Sequence, residues 1–372
     1  MFVLALVALV IWVWLTLFRG MFWRTDVRLP SPSAAVDNWP SVVVVVPARD
    51  EAGVLPVTVP SLLAQDYPGP FRVIVADDGS TDGTAALLTR WPQVTVVHPG
   101  EPDVEWAGKL WALQAGVAEA GHADYLLLTD ADIRHRPGSL RALVRVAEGN
   151  GLDLVSQMAR LRVATFWERL VVPAFVYLFA LLYPFRWSNR PRARTAAAAG
   201  GCSLVRRAAL ERAGGLDAIH DAVIDDVALA RVLKRTGSRT FLGLADFADS
   251  VRPYDDLATL WQMIARSAYA QLRRNPVILA GTVVGLAVVF VVPPVATVAG
   301  LVTLDLPVLV CGALAWLVMA ATFMPMLRYY GQPRVAGFLL PATATLYLAM
   351  TLDSARQHYL GRGAAWKGRT YS

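Results

Sequence analysis

The chain opens on an unbroken apolar run, residues 2–18, and turns basic at Arg19 and Arg24. That run is about the minimum length for a membrane span. A cleaved signal peptide would want a basic start, a shorter apolar core and small residues at the cut, and none of these is present. Residues 1–20 therefore read as an uncleaved transmembrane anchor, and the arginines put the following domain on the cytoplasmic side. Residues 21–40, with several Pro and Ser, read as a linker. From Ser41 the pattern changes to short β-branched and aliphatic runs separated by helix-length segments. Residues 42–46, 71–76, 94–97 and 125–129 read as strands, and 53–65 and 108–119 as helices. The uninterrupted valines at 42–46 suit a strand buried on both faces. Strands alternating with helices predict an α/β fold with a mostly parallel, doubly wound sheet.

Residues 154–161 read as a further strand. The apolar stretch 170–185 is interrupted by Pro173 and Pro184, so the expectation is a helix lying at the bilayer surface rather than a span. Residues 195–206 are small and Gly-rich, Gly214-Gly215 marks a turn, and 223–235 reads as a helix opening on Asp225 and Asp226. Leu257, Leu260, Trp261, Ile264, Ala268 and Leu272 recur at helical spacing, with Arg266, Arg273 and Arg274 interleaved. That pattern is a basic amphipathic helix suited to a membrane interface. Residues 277–299, 308–327 and 335–352 are three candidate spans, the first kinked by Pro293-Pro294. The expected organisation is an anchor, a linker, a folded domain over 41–275, three spans within 276–353 and a basic tail over 354–372. Arg328 and Arg334 fit a cytoplasmic loop and Asp305 an external one. Four spans would put the tail outside, whereas Arg356, Arg362, Lys367 and Arg369 favour the inside. Either one segment is re-entrant or the tail departs from the rule.

Composition agrees with a membrane protein. Of 372 residues, 55% are apolar and 17% charged, against roughly a quarter charged in ordinary soluble domains. The net charge of +6 comes almost wholly from arginine, since lysine occurs only at Lys109, Lys234 and Lys367. No basic-aromatic stripe or zinc spacing points to nucleic acid, and a membrane surface or a phosphorylated substrate fits the charge better. Cys202 and Cys311 form no disulfide framework. The five histidines show no paired ligand spacing and read as structural.

Chemistry concentrates after the strands. Asp50, the Asp77-Asp78 pair and the Asp130/Asp132 pair each follow one, so all should lie on the rim at the carboxyl ends of the sheet, where open α/β folds bind ligands. Asp130 and Asp132 point to one side of an extended chain about 7 Å apart, a separation that a divalent cation would relieve. Hard oxygen ligands favour Mg²⁺ or Mn²⁺, with phosphate oxygens completing the shell. A turn or helix cap explains the same acids equally well. Carboxylates after the first two strands suit a base N–H or ribose hydroxyls. Lys109, early in its helix, suits a phosphate, although a solvated lysine is the plainer alternative. Asp225-Asp226 also suits a helix amino end. No Walker loop, Gly-x-Gly-x-x-Gly fingerprint or Gly-x-Ser-x-Gly elbow is present, which removes support for ATPase, dehydrogenase and serine-hydrolase readings.

Taken in order, Pro47-Ala48-Arg49-Asp50-Glu51, Asp77-Asp78-Gly79-Ser80-Thr81-Asp82-Gly83-Thr84, Gly108-Lys109, Asp130-Ala131-Asp132, Gly200-Gly201-Cys202, Ile224-Asp225-Asp226 and Gln271-Leu272-Arg273-Arg274 resemble an inverting family-2 glycosyltransferase of the GT-A type. More closely, Gly108-Lys109-Leu110-Trp111-Ala112-Leu113, residues 195–202 and the spans after Pro276 resemble the hopene-associated glycosyltransferases of hopanoid gene clusters. Ceramide glucosyltransferases look like more distant relatives. The resemblance implies a GT-A, Rossmann-like domain, a nucleotide-diphosphate sugar donor (UDP-linked), a membrane-lipid acceptor and a divalent metal. It implies that Ala48, Arg49, Asp50, Glu51, Asp77, Asp78, Lys109, Asp130, Gln271 and Arg274 bind the nucleotide sugar and that Asp130 and Asp132 hold the metal. Gly200, Gly201 and Cys202 then face the acceptor, and Asp226 is the base with Asp225 beside it. Asn275 stands where the family's Gln-x-x-Arg-Trp motif has tryptophan, which weighs against processive polymerisation. A processive polysaccharide synthase and a non-catalytic nucleotide-binding scaffold are the competing readings.

Overall fold

The computed structural model describes residues 1–103 and 105–361, and the backbone of 365–366 and 369–370. Arg362, Lys367 and the side chain of Arg369, part of the expected basic tail, lie outside the described residues. The contacts divide the chain into a sheet unit, formed by residues 26–162 and 187–253, and a helical unit. The helical unit holds residues 1–25, residues 163–186 and the stretch from Tyr254 through the last long helix.

The sheet unit has eight strands: β1 (Val42–Ala48), β2 (Phe71–Asp77), β3 (Val94–Val97), β4 (Tyr125–Leu128), β5 (Ile133–His135), β6 (Leu154–Arg160), β7 (Ser203–Arg206) and β8 (Thr240–Ser250). Their order is β3-β2-β1-β4-β7-β6-β8-β5. Pairings β1 with β2, β1 with β4, β2 with β3 and β6 with β8 are parallel, and β7 and β5 run antiparallel to their neighbours. The all-valine strand is buried on both faces, as its sequence requires. Val42, Val44 and Val46 enter one apolar core and Val43 and Val45 the other. The helix Gly108–Glu119 lies against β1 through Gly116, where a Cβ would come within 2.5 Å of Val45 Cγ1. This close approach sets the height of the helix on the sheet, and hence of Lys109 at its start.

Three features correct or extend the sequence reading. Strands β5, β7 and β8 and the helix Ser139–Asn150 were not expected; in β8 the apolar run is broken by Gly243, Asp246 and Asp249, and its pairing with β6 carries a register shift. Residues 27–29 of the expected linker are bound to the sheet. Val27 O accepts from Leu244 N at 2.9 Å, and Arg28 pairs with Asp246. The segment broken in sequence at Pro173 is one helix, Phe166–Leu182. A capping box starts it, Thr165 Oγ1 accepting from Glu168 N at 3.2 Å and the Glu168 carboxylate from Thr165 N at 2.9 Å. Its Val171, Val172, Val176, Tyr177 and Ala180 are buried within the helical unit. Tyr177 and Thr322 share a hydroxyl hydrogen bond of 2.8 Å, and Tyr347 donates to Val171 O at 3.1 Å. The helix expected near 170–185 therefore forms, with one face packed against other helices.

Three helical stretches, Pro276–Thr303, Leu306–Tyr329 and Arg334–Tyr359, are long and apolar enough to cross a membrane, and Phe2–Phe18 is a shorter apolar helix. The first accommodates Pro293-Pro294 without breaking. A π-helical turn, Ala287–Val291, precedes the prolines, and Val292 N reaches back to Ala287 O. Pro293 has no N–H, so Val289 O loses its helical donor. The indole of Trp12, fully buried on Phe2–Phe18, donates to that carbonyl at 2.7 Å and packs edge-on against Phe290. An unsatisfied carbonyl in apolar surroundings costs about 1–3 kcal/mol. Replacing Trp12 with Phe keeps the ring and removes the donor, so detergent-solubilised W12F should unfold at lower temperature than wild type. An unchanged melting temperature would show that the carbonyl is satisfied otherwise.

Candidate active site

The strand ends build the site from one edge of the sheet. At the end of β1, Asp50 adopts φ +52°, a left-handed conformation that Asp tolerates better than most residues. Its Oδ1 accepts from Thr81 N at 2.7 Å, and its own N–H donates to Ser80 Oγ at 2.9 Å. Ala48 is fully buried. Arg49 Nη1 donates to the Asp78 carbonyl and lies 3.2 Å from the Asp78 carboxylate. Asp77 and Asp78, at the end of β2, are 2% and 1% exposed. Asp77 accepts from Ser80 within the Asp77–Thr84 turn, and Glu51 N donates to Thr84 Oγ1 and Ala52 N to Asp82 Oδ2, both at 2.9 Å, so the turn is laced to the end of β1. Residues 48–51 and 77–84 thus form one rigid corner.

Beside it, Lys109 Nζ lies 2.9 Å from Asp130 Oδ1 and 2.9 Å from Asp225 Oδ2. Burial works against the ammonium, but the two carboxylates outweigh it and hold the Lys109 pKa above that of a free lysine. Asp226 is next in the helix Asp225–Arg235. Its Oδ2 accepts from Gly200 N at 2.9 Å and its Oδ1 from Val227 N at 2.7 Å. Burial and the neighbouring Asp225 charge push the Asp226 carboxyl up to about 7, against the opposing pull of Lys109 and the two N–H groups. Gly200 closes the group: a Cβ there would sit 3.2 Å from Lys109 Nζ and 3.7 Å from both Asp130 Oδ2 and Asp226 Oδ2. These five residues line one cleft, floored by Leu110, Leu113, Leu128, Leu216, Ile219 and Leu229.

The two carboxylates of the Asp130-x-Asp132 stretch pair with different cations, Asp130 with Lys109 and Asp132 with Arg252. Asp132 Oδ2 accepts from Ser250 Oγ at 2.6 Å and lies 3.4 Å from Arg252 Nε. Arg252 Nη2 also grips buried Glu51 through both carboxylate oxygens, at 2.8 and 2.7 Å. Ser250 and Arg252 are missed in the sequence because Ser250 ends and Arg252 follows β8, the strand its polar residues conceal. Among the described residues no group of three His, Cys, Asp or Glu side chains is gathered to hold a metal ion. Asp130 and Asp132 offer hard oxygen donors that suit Mg²⁺ or Mn²⁺ if phosphate oxygens complete the shell.

A buried chain of hydrogen bonds backs the cleft. Thr129 Oγ1 donates to Gly201 O at 2.7 Å and lies 2.9 Å from His135 Nε2, while His135 Nδ1 lies 3.1 Å from Ser139 Oγ. Burial pushes the His135 pKa down to about 4, so the ring is neutral. Cys202 is fully buried in the sheet core, which pushes its thiol up to about 12. Its side chain serves packing and does not face the cleft. Gln271 and Arg274 belong to the helical unit, where the Gln271 amide donates to Tyr183 Oη and Arg274 is exposed at φ +52°.

Comparison with known proteins follows this geometry. Residues 43–214 match the family model described as glycosyl transferase family 2. The chain is 27% identical over 202 residues to an N-acetylglucosaminyl-diphospho-decaprenol L-rhamnosyltransferase of Mycobacterium tuberculosis, covering 45% of this chain and 62% of that protein. It is 30% identical over 138 residues to an undecaprenyl-phosphate 4-deoxy-4-formamido-L-arabinose transferase of Pectobacterium carotovorum, covering 36% of this chain and 42% of that one. Both matches span less than two thirds of the relative. The solved mannosyltransferase PcManGT of Pyrobaculum calidifontis, in complex with GDP-Man and Mn²⁺, superposes with a TM-score of 0.57 over 94% of this chain and 98% of its own, at 21% identity. That likeness shows the fold. Residues 43–214 carry the sequence pattern of glycosyl transferase family 2, on a mostly parallel GT-A sheet.

Proposed function

We propose that this protein is an inverting glycosyltransferase that moves a sugar from a nucleotide-diphosphate sugar, UDP-linked, to a hydroxyl of a membrane lipid, a hopanoid being the acceptor its sequence resembles. The observation that carries the reading is the placement of Lys109, in contact with Asp130 and Asp225 and next to Asp226. Departure of the sugar leaves a diphosphate whose growing negative charge must be neutralised. Lys109 supplies a fixed positive group, and Asp130 and Asp132 are the residues that would hold Mg²⁺ or Mn²⁺. When bound, such an ion stabilises the leaving diphosphate. In that corner the carboxylates of Asp50, Asp77 and Asp78 supply acceptors for the base and ribose of the nucleotide, and the Arg49 guanidinium supplies a donor.

Asp226 is the general base. Its raised proton affinity lets it take a hydroxyl proton near neutral pH, where a carboxylate with an ordinary value would be a weaker base. Attack from the face opposite the leaving group inverts the sugar carbon in one step. Gly200 keeps that face open, because a side chain there would meet Lys109, Asp130 and Asp226. Two observations favour a lipid acceptor. Three helices are long and apolar enough to cross a membrane, and the relatives named above carry decaprenol or undecaprenyl phosphate in their names. A lipid hydroxyl must be met at the bilayer, since each methylene drawn into water costs about 0.8 kcal/mol. On this reading the protein lies in the bacterial inner membrane with its sheet unit facing the cytosol.

Mass spectrometry of lipids from membranes supplied with a panel of nucleotide sugars should show one sugar added per lipid in wild type. The product should fall about 100-fold or more in D226N. A long polymer would replace this reading with the processive one, and undiminished turnover in D226N would remove Asp226 as base. The sign of the pKa shift gives a second prediction. The folded state raises the Asp226 value from 3.8 to about 7, so folding disfavours the ionised form above that pH and not below 3.8. Asp226→Asn should therefore melt at the same or a higher temperature than wild type at pH 8, while inactive. A third concerns rate: kcat/KM should fall about tenfold per pH unit below about 7, because only ionised Asp226 accepts the proton. A profile flat from pH 5 to 8 would contradict it.

A further inference from the structure

Residues 186–194 read Arg-Trp-Ser-Asn-Arg-Pro-Arg-Ala-Arg. The stretch carries four arginines and no acid, in a chain whose whole net charge is +6. Such a segment is ordinarily a loose, solvated loop, but here its neck is fixed. Lys234 Nζ donates to Ser188 O at 2.8 Å and to Thr195 O at 2.7 Å, so a single ammonium joins the two ends. Asn189 anchors one limb to β8, its Nδ2 donating to Leu242 O at 2.9 Å and its Oδ1 accepting from Leu242 N at 2.7 Å. Within the loop, Arg190 N donates to Trp187 O and Ala193 N to Arg190 O, both at 3.1 Å. Arg190, Arg192 and Arg194 are exposed. Among the described residues, none of these three has an ion pair.

Holding like charges together on a pinned loop costs repulsion that dispersal along the chain would avoid. The arrangement becomes favourable when an anion is shared among them, and the guanidinium fork matches phosphate oxygens in pairs. The chain indicates which anion. The loop begins where the chain leaves the helical unit at Arg186, directly after the apolar helix Phe166–Leu182. Tryptophan and arginine just past an apolar helix are the composition of a membrane–water boundary. We propose that residues 187–194 form an anion-binding loop that takes the phosphate headgroups of anionic membrane lipids. The inference rests on the membrane reading of the helices and not on the sugar-transfer reaction.

Full-length protein in nanodiscs of phosphatidylcholine alone, or of phosphatidylcholine with phosphatidylglycerol, tests it by hydrogen exchange. The amides of Arg190, Arg192, Ala193 and Arg194 should exchange at least about threefold more slowly with phosphatidylglycerol, and about 0.5 M NaCl should remove the difference. The triple variant R190Q/R192Q/R194Q should show no such difference, while the amides of β1 exchange as in wild type. Equal exchange in the two bilayers would overturn the proposal. So would equal protection by millimolar inorganic phosphate in the neutral bilayer, which would make the loop a soluble-phosphate site. Both results are independent of sugar transfer, so they leave the proposed reaction to its own test.

Discussion

The ammonium of Lys109 is the group on which the cleft depends. It stands between Asp130, delivered by the end of β4, and Asp225, delivered by a helix far along the chain. Without it, Asp130 and Asp225 would lose the cation that lies 2.9 Å from each of them, in a partly buried cleft that also holds Asp226, a costly loss in low-dielectric surroundings. The lysine holds its place because its helix is seated on β1 through Gly116. The packing of an apolar helix on a valine strand is therefore what makes an acidic cleft tolerable. The same geometry ties Asp130, at the end of β4, to the start of the helix Asp225–Arg235 through one cation.

A similar economy appears in the helical unit. Two consecutive prolines in an apolar helix leave a carbonyl without its donor, and the protein answers with a π-helical turn and an indole from the first helix. In each unit a local conflict, charge crowding in one and a missing N–H in the other, is resolved by a side chain distant in sequence. Removing Lys109 or Trp12 takes from a partly buried polar group the partner seen here.

Much of this was legible in the sequence because the signals were periodic. The valine run at 42–46, the strands at 71–76, 94–97 and 125–129, the helix at 108–119 and the three long apolar helices all rest on patterns that a continuous or periodic apolar signal announces directly. Less could be read where the pattern is broken. Strand β8 carries Gly243, Asp246 and Asp249 and pairs with a register shift, so neither alternation nor a continuous apolar run announces it. Ser250 and Arg252 were lost with it, although they grip Asp132 and Glu51. Pro173 argues against a clean span in the sequence, and the helix expected there runs through it, held by a capping box and burial among neighbouring helices. The Asp-x-Asp spacing indicated that two acids share a rim. It did not indicate that each would face a different cation.

The hydroxyl of Thr129 has a consequence for how protons are arranged behind the cleft. A carbonyl can only accept, so the 2.7 Å contact with Gly201 O commits the threonine proton to that oxygen. His135 must then offer its hydrogen from Nε2, which leaves Nδ1 bare and obliges Ser139 to donate to it. One peptide oxygen thus dictates the tautomer of a buried imidazole and the rotor of a hydroxyl two links away. With every hydrogen in the row assigned and the ring uncharged, the row acts as a strut that ties the Gly201 peptide to the end of β4.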